Sequence, residues 1–145
     1  STSPDKELDG DINNKVITIL GWAFKKDTND SRESASIYVS ANLLMRGAFL
    51  NIYDPMVSKS RVISDLESKL IERKISQLEI TKLLNKVKIY SNHKAALVSS
   101  SAIAVLTEWD EFKNYKWDKI KSDLPNVKLF DGRNIISNTN YSIGK

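Results

Sequence analysis

The sequence predicts an α/β fold, a three-layer, doubly wound, mainly parallel sheet of the Rossmann-like kind, and three observations carry that prediction. Short aliphatic and β-branched runs alternate with stretches of helical apolar spacing five times over. The runs are nearly continuous in apolar character, as strands covered on both faces are. The first strand, helix and second strand fit within about forty residues, the size of a right-handed parallel crossover.

Ser1 to Asn14 contains Pro4, Gly10 and alternating charges without periodicity, and reads as a linker or disordered lead-in, leaving residues 15–145 as the domain. Lys15 to Leu20 is a β-branched strand ended by Gly21. Apolar residues at Ile37, Ala41, Leu44, Met45 and Ala48 then predict an amphipathic helix starting near Ser34, stopped by Gly47, with Asp30 and Glu33 spaced as an N-terminal capping pair. Phe49 to Tyr53 is the second strand, closed by Asp54-Pro55.

Ser58 to Lys86 has helical spacing in Val62, Leu66 and Leu70, and Ser76-Gln77-Leu78-Glu79 matches a capping box, so the segment predicts two helices. Val87 to Tyr90 is a third strand and Asn92 to Ser101 a short helix. Ala102 to Thr107 is the most apolar run and predicts a central strand. Glu108 to Lys121 is helical or turn-rich, and Lys128 to Asp131 is the last strand, ended by Gly132-Arg133-Asn134.

Composition narrows the function. The chain has 145 residues, 41% hydrophobic and 28% charged, enough for one domain with a core. The longest apolar run falls well short of the roughly 20 residues that span a bilayer, and the polar N-terminal stretch reads as neither signal nor transit peptide, so a cytoplasmic setting without membrane contact is expected. A charge of +4 on scattered lysines does not describe a nucleic-acid groove. The absence of cysteine excludes disulfides, thiolate metal sites and a cysteine nucleophile, and the lone His93 leaves no histidine metal site and no Ser-His-Asp set. No catalytic residue and no metal site is therefore expected in this chain.

The stretch from Gly21 to Ser34 joins the first strand to the first helix, the corner where open α/β sheets place ligands. Its Lys25, Lys26 and Arg32 are the side chains that neutralise phosphate or carboxylate, and a following helix N-terminus adds N–H donors, so the local chemistry suggests an anionic ligand. A solvated loop whose charges pair with one another is the alternative reading. In this fold Phe24-Lys25, Asp54, Thr107-Glu108 and Asp131-Gly132-Arg133 converge at one sheet edge, so that two cations, Lys25 and Arg133, face one crevice, unless Arg133 simply pairs with a neighbouring carboxylate. Asp54 sits where dinucleotide folds hold a ribose, but no G-x-G-x-x-G precedes it, so it reads as a turn-forming Asp-Pro step first and a ligand contact second. His93 reads as an exposed helix start, and the tryptophans as core or interface anchors.

The string Gly21-Trp22-Ala23-Phe24-Lys25-Lys26-Asp27-Thr28, followed by Asp30, Arg32-Glu33-Ser34, Tyr53-Asp54-Pro55, Thr107-Glu108-Trp109 and Phe130-Asp131-Gly132-Arg133, resembles the C-terminal UDP-binding domain of the UDP-glucose/GDP-mannose dehydrogenase family, in its UDP-glucose 6-dehydrogenase branch. The resemblance covers about residues 15–145. It implies a two-step oxidation of UDP-glucose to UDP-glucuronate with two NAD, run through a cysteine thiohemiacetal and thioester. Cysteine, NAD fold and central region would lie in other domains of the enzyme, partners of this one, and the full-length protein would be a homo-oligomer.

By position, Phe24 and Lys25 resemble the family's pair that meets the UDP-sugar, Arg133 its second UDP-sugar contact, and Arg32 the arginine that reaches NAD. Asn29 stands where relatives commonly have glycine, and Asn134 where some have a second arginine; neither is assigned to a ligand. The segment from Ser58 to Lys86 matches in character alone. A GDP-mannose or UDP-N-acetyl sugar dehydrogenase domain is the near alternative. A non-catalytic receiver-like domain would need an acidic cluster after the first strand, where this chain has Gly21-Trp22. An assembly module would use Trp22, Trp109 and Trp117 at an interface.

Overall fold

The computed structural model describes residues 11–136, so most of the expected lead-in, residues 1–10, and residues 137–145 lie outside the described residues. Five strands, β1 (Val16–Leu20), β2 (Phe49–Tyr53), β3 (Val87–Tyr90), β4 (Ala102–Val105) and β5 (Lys128–Asp131), form one parallel sheet in the order β3-β2-β1-β4-β5. The helices are α1 (Ala35–Met45), α2 (Lys59–Glu72), α3 (Gln77–Leu84), α4 (His93–Leu97), α5 (Asp110–Lys113) and α6 (Trp117–Asp123). The chain moves from β1 towards β3, then returns past β1 to β4. With right-handed crossovers this puts α1 to α3 on one face and α4 to α6 on the other. The reversal leaves a topological switch point between the C-terminal ends of β1 and β4.

Residues along the strands divide by parity between the two faces. Thr18 and Asn51, register partners, both donate to the Ala96 carbonyl, at 2.7 and 3.1 Å, and Thr18 also bonds the Ser100 hydroxyl. A helix as short as α4 cannot stand alone, and these bonds to the sheet pin it. Asn92 caps it, accepting from the Lys94 and Ala95 N–H groups. It ends at Leu97, short of the expected Ser101, because Val98 is extended and Ser99 has φ +68°.

Helix α1 corrects two sequence expectations. Its buried residues are Ser36, Val39, Ser40, Ala41, Leu43 and Leu44, whereas Ile37 is part-buried and Met45 half-exposed. Two serines on the inner face shifted the apparent stripe: they are small enough to let the helix approach, and the Ser36 hydroxyl donates to the Gly21 carbonyl at 2.7 Å. The expected Asp30–Glu33 capping pair does not form. Ser34 is the N-cap residue, Glu33 has φ +61°, and the Asp30 carboxylate is occupied by Arg32. The glycine stop holds: with Gly47 at φ +93°, Gly47 and Ala48 N–H donate to the Leu44 and Leu43 carbonyls.

The break between α2 and α3 falls as expected, with Ser58 and Ser76 accepting from Arg61 and Glu79 N–H groups. The same helix stop recurs without glycine: Lys74, at φ +61°, donates to Ile71 and Ile75 to Leu70. The packed chain begins before residue 15. Ile12 is buried in the core and Asn14 N–H donates to the Gly47 carbonyl at 2.8 Å. Among the described residues no helix is long and apolar enough to cross a membrane.

Candidate functional site

The corner after β1 is built on one glycine. Gly21 has φ +100°, and a Cβ there would lie 2.4 to 2.7 Å from Oγ1, Cβ and N of Thr107, so the loops after β1 and β4 touch as no other residue allows. Fully buried Thr107 then donates to the Ala23 carbonyl at 2.8 Å, bridging the two sides of the switch point.

Asp54, after β2, completes the frame. Its Oδ2 accepts from Trp22 N, Ala23 N and Trp109 Nε1 at 2.6, 3.0 and 3.1 Å, and its Oδ1 from Met56 N and Val57 N at 2.8 and 3.0 Å. A carboxylate with five donors has little acceptor capacity left, so its turn-forming reading holds and extends to tying three strand ends. Asp65 does the same from α2, accepting from Trp22 Nε1 at 2.9 Å and Ser31 Oγ at 2.6 Å. The sequence reading gave α2 no part in the corner. The available signal was a carboxylate beside the buried Val62 and Leu66.

Outside this frame lie the charged residues. Phe24 is 51% exposed, its N–H donating to the Asp30 carbonyl at 2.7 Å. Lys25 is exposed and has no hydrogen-bond or ion-pair partner among the described residues. Lys26 meets Asp110 at 3.5 Å, and Asp110 also meets Lys113 at 3.8 Å. Arg32 forks onto Asp30 through Nε and Nη2, at 3.0 and 2.9 Å, while its side chain is 81% exposed. That bond, with the Arg32 N–H, holds the Asp30 carboxyl down to about 2. Phe24 and Arg32 line an open cleft of about 910 Å³ with Ser34, Tyr38, Asp65 and Lys69.

Arg133 lies beyond β5. Gly132 donates to the Val105 carbonyl at 2.9 Å and a Cβ there would crowd Phe130 and Leu106, while Asp131 accepts from Ile135 and Ile136 N–H groups. The turn therefore sets where the arginine starts. Its guanidinium pairs with Glu108, which that pairing holds below the usual carboxylate range. Glu108 also feels Lys26 and Lys113.

Phe24, Lys25, Asp54, Thr107, Glu108 and Arg133 thus all follow the C-terminal ends of parallel strands, as expected of one sheet edge. The structure brings Lys26 and Arg133 around the Glu108–Asp110 segment, but gives no direct contact between Lys25 and Arg133. Arg133 does pair with a neighbouring carboxylate, the alternative left open from sequence.

One further expectation, for His93, is corrected, and for the tryptophans the core reading holds over the interface one. His93 starts α4 but is not exposed: its ring stacks on Tyr115, with centroids 4.0 Å apart, and burial lowers its pKa. Trp22, Trp109 and Trp117 are all buried, donating through Nε1 to Asp65, Asp54 and the Phe112 carbonyl, so they anchor this domain and offer no interface.

Comparison with known proteins gives concordant results. Residues 18–138 match a family model described as the UDP binding domain of the UDP-glucose/GDP-mannose dehydrogenase family. The chain is 38% identical over 131 residues to a UDP-glucose 6-dehydrogenase of Caenorhabditis elegans, covering 90% of this chain and 26% of that protein. With the Gallus gallus protein of the same name the identity is 40% over 128 residues, covering 86% and 24%. The chain therefore spans about a quarter of the length of these relatives. Among solved structures, a UDP-glucose dehydrogenase from the archaeon Pyrobaculum islandicum superposes with a TM-score of 0.59 at 23% identity, covering 84% of this chain and 22% of the other. An NDP-N-acetyl-D-galactosaminuronic acid dehydrogenase from Methanosarcina mazei Go1 gives 0.65 at 25%, covering 97% and 25%.

Proposed function

The chain belongs to the UDP-glucose/GDP-mannose dehydrogenase family and corresponds to its UDP binding domain, and from that premise we propose that it is the nucleotide-sugar-binding part of a UDP-glucose 6-dehydrogenase, which makes UDP-glucuronate from UDP-glucose. The observation that carries this reading is the family match from residue 18 to 138, which spans both cationic strand ends, Lys25 after β1 and Arg133 after β5. Lys25 supplies an unpaired ammonium for an anionic oxygen, and Arg133 a planar fork that suits a diphosphate. Phe24 gives an exposed ring beside them. The domain is residues 15–145, with Ile12 packed onto it.

The enzyme's chemistry belongs to other domains of a longer chain, which are this domain's partners. NAD is the cofactor of the whole protein, where it accepts the hydride. Here the fit is partial. Arg32 presents an exposed guanidinium steadied by Asp30, suited to an anionic group outside this domain, whereas the β1 corner lacks the glycine fingerprint that would cradle a dinucleotide. Binding and orienting the nucleotide sugar is this chain's share, and a cytoplasmic setting is the one that supply of a soluble nucleotide sugar favours. The Methanosarcina likeness supports a second reading, in which the sugar is an N-acetylated one.

Titration calorimetry with UDP-glucose tests the proposal. Binding that falls about tenfold in each of Lys25→Ala and Arg133→Ala is expected, in keeping with one charge-assisted contact each. Binding unchanged in both variants sinks the site assignment. The chain given UDP-glucose and NAD should produce no NADH.

A further inference from the structure

We infer that Glu108 acts through Arg133 by competing with the nucleotide sugar for it, so that ligand binding exchanges one anion for another on the same guanidinium. This rests on the reading of Arg133 as a UDP contact and adds what that residue does before ligand arrives.

Register brings the two side chains together. Val105 of β4 pairs with Asp131 of β5, so Glu108 lies three residues beyond that rung and Arg133 two beyond it, on adjacent parallel strands whose loops leave side by side. The Gly132 turn, held by Val105 and Asp131, leaves the arginine little backbone freedom, so its charge is aimed by its side-chain partner alone. That partner is Glu108, and the pair is accessible: the two side chains are 39% and 38% exposed, so an incoming anion can reach both.

Charge balance favours exchange. Lys26, Lys113 and Arg133 surround two carboxylates, Glu108 and Asp110, and unpaired Lys25 stands on the same corner. Asp110 stays matched by two lysines when Arg133 leaves Glu108. A ligand of two negative charges can therefore take Arg133, whereas it must first overcome a carboxylate already seated there. Exposed ion pairs are weak enough to be displaced. By contrast, the Asp54 carboxylate, with five donors, cannot exchange in this way.

The test is calorimetry with UDP on the 145-residue chain, its E108Q and R133A variants, and the double variant. Glutamine keeps the size and loses the charge. E108Q should bind UDP roughly two- to fivefold more tightly, the equivalent of one exposed pair, and with a steeper dependence on sodium chloride, because no internal pair is broken to offset the one that salt screens. The gain should vanish in the double variant, because Glu108 acts through Arg133. Equal or weaker binding by E108Q overturns the inference, the weaker case meaning that Glu108 preorganises Arg133 for ligand. A gain that persists without Arg133 also overturns it. UDP binding that R133A leaves intact, or no UDP binding in any form, defeats the reading of Arg133 and the inference together; binding that R133A weakens and E108Q leaves unchanged defeats the inference alone.

Discussion

The strand-to-helix corner has an inner half, Gly21 to Ala23, and an outer half, Lys25 to Arg32, and the two are held by different physics. In the inner half every side chain is buried, the backbone N–H groups of Trp22 and Ala23 end on Asp54, and the Trp22 ring is tied to Asp65. In the outer half the charges are exposed and paired two by two, or not at all. Buried hydrogen bonds to a carboxylate are costly to lose because the orphaned donors have no water to turn to. Exposed pairs trade one partner for another at little cost. Shape is thus set by the inner half, and the charges of the outer half are left able to change partners.

The largest expected break in this contrast is Gly21→Val. It forces a β-branched residue to positive φ and drives its Cβ into Thr107, costing about 4 kcal/mol or more. Urea denaturation should show little folded protein; a stable variant would mean that the loops after β1 and β4 can separate. Asp54→Ala comes next. It leaves Trp22 N, Ala23 N and Trp109 Nε1 without their acceptor and should cost about 3 kcal/mol by the same measurement.

Changes to the exposed charges at the strand ends should instead touch binding. Arg133→Ala, expected to weaken UDP-glucose about tenfold, should move the urea midpoint far less than Asp54→Ala does, since an exposed pair is worth under about 1 kcal/mol. Acid sharpens the comparison further. Asp30 has its folded pKa depressed to about 2 from 3.8, so its pairing with Arg32 stabilises the fold above the ordinary value and is lost as pH falls from about 4 towards 2. In Arg32→Gln the Asp30 carboxyl, followed by NMR, should titrate nearer 3.8, and stability should fall less steeply across that window. Smallest of all, Lys26→Gln should change stability by less than about 0.5 kcal/mol, because Asp110 keeps Lys113.

All five strands were legible to within two residues, since strands covered on both faces are written as apolar runs. So was the break at Ser76, which a capping serine marks locally. The face of α1 was not, because Ser36 and Ser40 read as polar although they are buried, and Asp30 read as a cap although Arg32 holds it. Lys25, Arg32 and Arg133 stood out as cations at a strand-to-helix corner and a strand end.

What occupies each of them did not. Chain order and periodicity are local properties, so residues alone determined the α/β class, the parallel crossovers and the sheet edge that carries the charges. Which carboxylate meets which cation depends on neighbours 25 to 84 positions apart, as in Arg133 with Glu108 and Lys26 with Asp110. The tertiary structure decided that, because strand register and tight turns bring those side chains within reach, and no local pattern encodes a contact made across adjacent strands.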